Sequence, residues 1–407
     1  MANNRGYFTA VGTVDSEKVE VLELALHRLP AHDADRALVL AIQCAELCWG
    51  SSLERRQSLA AEAVAIAQAS GDDVTVVRVL NSIAYPLTVH SLIRQALSWS
   101  AEGLIRAEQI GDPVLIFLAA LARITPTAQS GDIDDMDRCL EIMGSMADRL
   151  DQPILSWIDT YYRSTRAQIA GDIEMAEQMA GQALQIGTDS GQPDATIFFG
   201  SQLAVINFQR GTLGELIPLI EQLVADGGSI AHVYRATLAL ALADADRTDE
   251  AHRLIEGFVS SGFDLPEDGT SLTSMANYAC AAVECQDRAH AGPLFDRLAP
   301  WADQLCLTPV TAFGPVSLYL GGLAGVLGRY DEAVSFFTQA SRFSARVGSE
   351  GFAARTDLWW GKMLAERKAP GDVPRARDLL GKAQAVASAN GYGGIERRAA
   401  DALSNLD

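Results

Sequence analysis

Residues 131–172 read GDIDDMDRCLEIMGSMADRLDQPILSWIDTYYRSTRAQIAGD, and this stretch shows most clearly which fold the sequence predicts. It opens with the pair Gly131-Asp132 and ends with a second such pair, Gly171-Asp172. Glycine readily adopts the left-handed conformation that ends a helix, and an aspartate after it accepts hydrogen bonds from the amides that begin the next one. The stretch therefore predicts helices joined by tight turns.

The same turn signal recurs along the chain with a regular spacing. From residue 71 to residue 171 the intervals between Gly-Asp pairs are 40, 20 and 40 residues. The pairs are Gly71-Asp72, Gly111-Asp112, Gly131-Asp132, Gly171-Asp172 and Gly371-Asp372, and the register also contains Asp151-Gln152-Pro153, Gly191-Gln192-Pro193 and Gly211-Thr212. Pro113, Pro153 and Pro193 lie where the first turn of a helix tolerates proline. We expect one helix per ~20 residues and one helical hairpin per ~40.

Apolar residues between the turns follow the period of a helix, and strand-type alternation is nearly absent. One predicted face holds Tyr330, Ala333, Val334, Phe337 and Ala340, and another holds Ile173, Ala176, Ala180, Ala183 and Leu184. An isolated hairpin cannot bury such a face, so neighbouring hairpins must stack. We predict an all-α fold, a right-handed α-α superhelix (solenoid) of about 20 antiparallel helices, beginning near Ser16 and ending near Leu406.

Three places depart from the regular pattern. Pro86 is expected to separate helices around residues 74–85 and 91–109. Residues 262–269 form a longer acidic connection, and residues 298–309, with Pro300 and Pro309, are the expected bend between two parts of the array. We therefore predict one continuous superhelix with an N-terminal lobe, residues 1–299, and a C-terminal lobe, residues 300–407.

Composition excludes several classes of protein. The 407-residue chain carries 32 basic and 52 acidic residues, a formal net charge of −20, which disfavours binding to nucleic acid or to anionic lipid. It contains no uninterrupted apolar stretch near the ~18 residues that a membrane span needs. Six cysteines are too few for a disulfide scaffold, so a reducing cytoplasm fits best. We expect neither a nucleic-acid nor a membrane partner.

Residues 328–340 resemble a known helical repeat. The motif Gly328-Arg329-Tyr330-Asp331-Glu332-Ala333, followed by Phe337 and Ala340, is similar to the second helix of a tetratricopeptide repeat, and Leu320-Gly321 falls where that repeat places its Leu-Gly pair. The unit of about 40 residues is longer than the 34-residue consensus. The resemblance therefore implies a tetratricopeptide-like solenoid.

A second resemblance extends over nearly the whole chain. It rests on the motifs at residues 6–15, 192–195, 262–266, 314–321 and 354–356, which read GYFTAVGTVD, QPDA, GFDLP, GPVSLYLG and ART. These are similar to the C-terminal helical region of actinobacterial signalling ATPases, in which a STAND-type nucleotide-binding module is joined to a class III nucleotidyl cyclase or a LuxR-type DNA-binding domain. The resemblance implies a regulatory segment, either excised from such a protein or free-standing.

No motif for catalysis or metal binding accompanies this resemblance. The chain has no GxxxxGK[ST] phosphate loop, no CxxC, no HExxH and no GxSxG. Cys44 and Cys48 share a helical face without a histidine at ligand spacing, and small buried apolar side chains explain them better. We therefore expect a protein that is not an enzyme, with no catalytic residue, no metal site and no cofactor.

One helical stripe has the composition of a binding surface. Trp157, Tyr161, Thr165 and Gln168 recur at helical spacing, at positions that line the concave surface in a tetratricopeptide register. The alternative is that the two aromatic residues pack between repeats. For Trp359-Trp360 we expect one core and one partly exposed residue, because adjacent helical residues face different ways.

The charge distribution suggests a further surface. Residues 342–398 contain eleven basic and six acidic residues, a net charge of +5, which either forms a solvated face or docks against an acidic partner domain. We expect a non-enzymatic scaffold for protein–protein interaction and regulation, with a protein or peptide partner or a neighbouring ATPase module. The alternative function is a sensor that binds a small-molecule effector inside the superhelix.

Overall fold

The computed structural model describes residues 10–406, and within that range it is an all-α helical repeat solenoid with 20 α-helices. The first ten helices are α1 (Ser16–Arg28), α2 (Ala34–Glu46), α3 (Leu53–Ser70), α4 (Asp73–Ala84), α5 (Ile93–Ile110), α6 (Pro113–Ser130), α7 (Ile133–Leu150), α8 (Pro153–Ala170), α9 (Ile173–Asp189) and α10 (Ala195–Arg210). The next five are α11 (Ile217–Asp226), α12 (Ala231–Asp244), α13 (Thr248–Ser260), α14 (Ser271–Glu284) and α15 (Ala291–Leu298). The last five are α16 (Val316–Val326), α17 (Tyr330–Arg346), α18 (Glu350–Arg367), α19 (Asp372–Asn390) and α20 (Gly393–Ser404). The predicted fold class and helix number are confirmed.

The turns have the conformation and hydrogen bonds that the Gly-Asp pairs predict. Gly71, Gly111, Gly131 and Gly171 end their helices in the left-handed conformation. The aspartate after each glycine accepts hydrogen bonds from the backbone amides of the next first turn, and Asp112 does so from Val114 and Leu115. These bonds satisfy amides that a helix start otherwise leaves without a partner.

Two predicted turns differ in detail. Pro193 does not lie in a first helical turn, because α10 begins at Ala195 after an N-terminal cap at Asp194. Gly371 does not end a helix: α18 already ends at Arg367, and Gly371 precedes α19. The Asp372 carboxylate accepts from the Ala369 amide and pairs with Arg367. Pro86 behaves as expected, in a short 3₁₀ turn directly after α4.

The helices form two layers. Most even-numbered helices contact the next even-numbered helix, as in the series α2–α4–α6 and the series α8–α10–α12–α14–α16–α18–α20, and so these helices line the inside of the solenoid. The odd-numbered helices pack outside them. The predicted faces are the packed ones, since Ala176, Ala180, Ala333, Phe337 and Ala340 are completely buried.

A short β-hairpin interrupts the helical array where the bend was predicted. Strand β1 (Leu305–Leu307) pairs antiparallel with β2 (Ala312–Pro315), and we call residues 305–315 the central hairpin. It contacts α6 and α8 as well as α14, α16 and α17. Leu305, Leu307, Val310 and Ala312 join the core formed by α4 to α8, although the hairpin follows α15 in the chain. Cys306 and Phe313 join the core of the C-terminal half. The hairpin therefore occupies part of the inside of the solenoid.

The C-terminal helices pack back against turns of the N-terminal half. Three glycine turns that follow inner helices make these contacts: Gly131 lies against the Arg346 side chain, Gly171 against Tyr392, and Gly211 against the backbone of Gly394. Tyr392 donates a hydrogen bond to the Gly171 carbonyl, and Arg397 donates one to the Gly211 carbonyl. The solenoid thus closes on itself between α10 and α20.

Both tryptophans of the Trp359-Trp360 pair are buried, so the expectation of one partly exposed residue is wrong. Trp359 packs edge-on against Tyr319 and donates a hydrogen bond to Glu284, while Trp360 stacks on Phe337. Helix α18 has packed neighbours on several sides, α16, α17 and α19, and therefore has little solvent-exposed face here.

The acidic connection 262–269 is held against the N-terminal half of the molecule. Arg56 of α3 is 2% exposed, and its guanidinium donates to the carbonyl oxygens of Pro86 and Glu267. The carboxylate of Asp268 accepts from the amide and hydroxyl of Thr270 ahead of α14.

Across residues 10–406, no helix combines the length and apolar character needed to cross a membrane.

Candidate functional site

All four residues of the stripe on α8 are buried, but they face two different surroundings. Thr165 donates to the carbonyl oxygen of Pro309 at 2.9 Å. Gln168 donates to the carbonyl of Val310 at 3.1 Å and accepts from the amide of Ala312 at 3.0 Å. These two side chains therefore hold the central hairpin against α8. Trp157 and Tyr161, nearer the start of the helix, line a cavity.

The cavity lies on the inner face of the N-terminal half and has a volume of about 120 Å³. Successive inner helices contribute residues about forty positions apart, which is one helical hairpin. Examples are Glu46 at the end of α2, Tyr85 directly after α4, Thr125 of α6 and Tyr162 of α8. Pro309 of the central hairpin closes one side. By the volume that a water molecule occupies, the space holds a ligand of about ten non-hydrogen atoms.

Aromatic rings form two groups in the lining. The first aromatic group, Trp49 and Tyr85, has ring centroids 6.3 Å apart. The second aromatic group contains Trp157, Tyr161, Tyr162 and Phe198. Within it Trp157 stacks on Phe198 at 5.3 Å, and Tyr161 meets both rings edge-on at 5.1 Å. Burial raises the pKa of Tyr85 well above its usual value, so this side chain is neutral at physiological pH.

Two carboxylates also line the cavity, and their surroundings differ. Glu46 accepts from the Asp15 amide at 2.9 Å and forms an ion pair of 2.7 Å with Lys18. Asp194 is 7% exposed and accepts from the Val11 amide at 3.0 Å. Within residues 10–406 no Lys, Arg or His pairs with Asp194. Burial raises the pKa of Asp194, while the Val11 amide opposes this shift.

Residues 10–15, which we call the N-terminal segment, cross from one side of the cavity to the other. Asp15 is bound to Glu46 beside α2, and Val11 is bound to Asp194 beside α10. The Ser229 hydroxyl donates to the carbonyl of Gly12, which ties the segment to residues ahead of α12. Val11 and Thr13 line the cavity directly. Residues 6–9 of the motif at 6–15 lie outside the described residues.

Among residues 10–406, the other residues considered for metal binding or catalysis do not form a second site. In the described range, no group of three or more His, Cys, Asp and Glu residues is placed to hold a metal ion. Cys44 and Cys48 are buried, and burial raises the pKa of each thiol to about 12, so both are protonated. Such thiols behave as small apolar side chains.

Some basic side chains of residues 342–398 point into the interior of the protein. Arg355 and Arg398 approach the buried carboxylate of Glu284, and Arg398 also pairs with Asp244 at 3.2 Å. Burial alone would raise the pKa of Glu284, but Arg398, Lys362 and Arg355 hold it below the usual value. Part of the positive charge of this stretch therefore stabilises the interior rather than forming a docking surface.

Sequence reasoning identified two cavity residues, Trp157 and Tyr161, and missed the others. Asp194 and Pro193 are part of the motif QPDA at 192–195, which carried a resemblance but no assigned role. Glu46 was detectable as a charged residue at the end of the amphipathic helix α2. No local signal indicated that these residues share one cavity, because they come from helices widely separated in the chain.

Comparison with models of known protein families and with curated proteins found no match for this chain.

Proposed function

We propose that the chain is a non-enzymatic regulatory solenoid that senses a small molecule in the cavity on its inner face. The observation that carries this proposal is the cavity itself, a recess with two groups of aromatic rings and two carboxylates in its lining. Pockets of this composition, mainly apolar with a few polar groups, are typical of small-molecule sites. A bound effector would contact helices α4, α6 and α8 and the N-terminal segment at once.

The arrangement favours a small molecule over an extended peptide. A peptide ligand of a solenoid needs an open concave groove. Here the central hairpin fills part of that groove and uses the polar groups of Thr165 and Gln168. What stays open is a recess for about ten non-hydrogen atoms, which is less than two amino-acid residues of average size.

A protein partner is the second part of the proposal, and it is supported by an exposed apolar surface on α1. Val21 and Leu24 lie three residues apart on this helix and are 54% and 58% exposed. Adjacent exposed apolar side chains are typical of contact surfaces. Together with the resemblance to STAND-type ATPases, this supports a role as the regulatory part of a signalling ATPase, with the neighbouring module docking at the α1 end.

A thermal-shift screen of a metabolite library tests the small-molecule function. A ligand that binds only the folded protein raises its melting temperature by mass action. We expect hits that stabilise the natural protein and have no effect on Ala45→Phe, which fills the cavity. Ala61→Phe, an exposed alanine on the outer helix α3, is the matched control and should retain every hit. Hits that stabilise all three proteins equally would place binding elsewhere, and their complete absence would contradict the proposal.

A further inference from the structure

We infer that the cavity selects an organic cation, a compound with one ammonium group on an apolar or aromatic body. This inference rests on the proposed small-molecule function and names the chemical class of its ligand. It is carried by the juxtaposition of the buried Asp194 carboxylate, which has no basic partner among residues 10–406, with the second aromatic group.

The charge of Asp194 favours a cationic ligand. A carboxylate removed from water is unfavourable unless a cation or several hydrogen bonds compensate it. Among residues 10–406, Asp194 receives one hydrogen bond, from the Val11 amide, and no ion pair. An ammonium group in the cavity would supply the missing positive charge. Burial raises the pKa of Asp194, which is consistent with a carboxylate that lacks this compensation.

The aromatic rings near Asp194 also favour a cation. Phe198 lies four residues after Asp194, one turn into α10, and stacks on Trp157 of α8. The faces of aromatic rings attract cations, most strongly for Trp, when the cation lies within about 6 Å of the ring centre. The same rings also bury an apolar body. A cation with an apolar body therefore satisfies both the carboxylate and the rings.

The charges in the lining disfavour an anionic ligand. Among the described residues that line the cavity, Lys18 is the only cation, and it is paired with Glu46 at 2.7 Å. An anionic ligand would meet Asp194 without any basic group to compensate its charge. The net charge of the described lining is therefore −1, from Glu46, Asp194 and Lys18.

Three probes with one common body test this inference by isothermal titration calorimetry of the full chain at pH 7.5. They are 2-phenylethylammonium, 2-phenylethanol and phenylacetate, which have about ten non-hydrogen atoms each and fit the cavity. We expect the ammonium probe to bind about tenfold or more tightly than the alcohol. Phenylacetate should bind more weakly than either.

Two variants test whether Asp194 causes the preference for the ammonium probe. Asp194→Asn should bring the ammonium probe and the alcohol to within about twofold of each other. Asp189→Asn, at an exposed carboxylate that ends α9, should leave the tenfold difference unchanged. A melting curve establishes that each variant is folded, and the comparison of the three probes on the natural protein needs no variant.

The outcomes separate this inference from the proposed function. Equal binding of alcohol and ammonium, abolished for both by Ala45→Phe, would overturn the cation preference and leave a small-molecule site. Tighter binding of phenylacetate would also overturn it. Binding of none of the three probes would overturn the inference, while the library screen would decide the proposed function independently.

Discussion

Tyr392 donates a 2.7 Å hydrogen bond to the carbonyl of Gly171, across 221 residues of chain. Gly171 closes the turn after inner helix α8, and Tyr392 immediately precedes α20. A linear repeat array makes contacts only between neighbouring repeats. This bond, the bond from Arg346 to the Ser130 carbonyl and the bond from Arg397 to the Gly211 carbonyl join distant repeats, so the two halves support each other.

Replacement of Gly211 should show how much this closure contributes. Gly211 and Gly111 both end helices in the left-handed conformation, with φ of 75° and 77°. Alanine at either position costs about 1–2 kcal/mol for that conformation. A Cβ atom at Gly211 would also collide with the Gly394 backbone, whereas one at Gly111 meets nothing within 4 Å. We expect Gly211→Ala to lower the free energy of unfolding clearly more than Gly111→Ala in urea titrations, and equal losses would contradict the closure.

Loss of the charge on Glu284 should destabilise the interior. Glu284 is the shared partner of Arg398 and Arg355 and also accepts from the Trp359 indole at 2.9 Å. Glu284→Gln would remove the carboxylate that faces the buried guanidinium of Arg355 and would leave Arg398 with Asp244 alone, at a cost of about 3–5 kcal/mol. Glu250→Gln, at an exposed pair with Arg247, is the control and should leave the melting temperature unchanged. A similar small effect for both variants would mean that the network does not stabilise the fold.

Asp357 should make stability depend on pH in an identifiable way. Burial raises its pKa from 3.8 to about 6, with Lys382 opposing and Asp378 adding to the shift. Because the folded pKa exceeds the unfolded one, the stability that Asp357 contributes is present below about pH 4 and is lost as pH rises through about 6. Asp357→Asn should therefore raise the melting temperature at pH 7.5 and leave it unchanged at pH 4. A difference that is the same at both pH values would contradict this assignment.

Truncation of Tyr161 should cost stability as well as binding. Its ring contacts Trp157, Tyr162 and Phe198, and the residue is 4% exposed. Removal of a buried aromatic side chain costs about 3–5 kcal/mol. We expect Tyr161→Ala to lose this amount in chemical unfolding, which fits the packing role weighed against a binding role for this stripe. A loss below about 1 kcal/mol would show that Tyr161 serves the cavity alone.

Local patterns predicted most of the fold because helices and their caps are determined by neighbouring residues. The pair Gly111-Asp112 determines a turn without help from the rest of the chain. The central hairpin escaped prediction, since strands of three and four residues that are buried on both sides show no alternation. The cavity could not be predicted from the sequence for a different reason. Glu46 and Asp194 lie far apart in sequence, and only the curvature of the solenoid brings them to one space.

Native mass spectrometry of the protein purified from its own host tests whether the cavity holds a small cationic compound. We expect part of the natural protein and of Ala61→Phe to carry one small compound, of about ten non-hydrogen atoms, that is absent from Ala45→Phe. Fragmentation of the complex should release that compound as a cation with an amine or quaternary ammonium group. A bound compound that persists in Ala45→Phe, or protein that remains ligand-free in host extract while the library screen also fails, would contradict the claim.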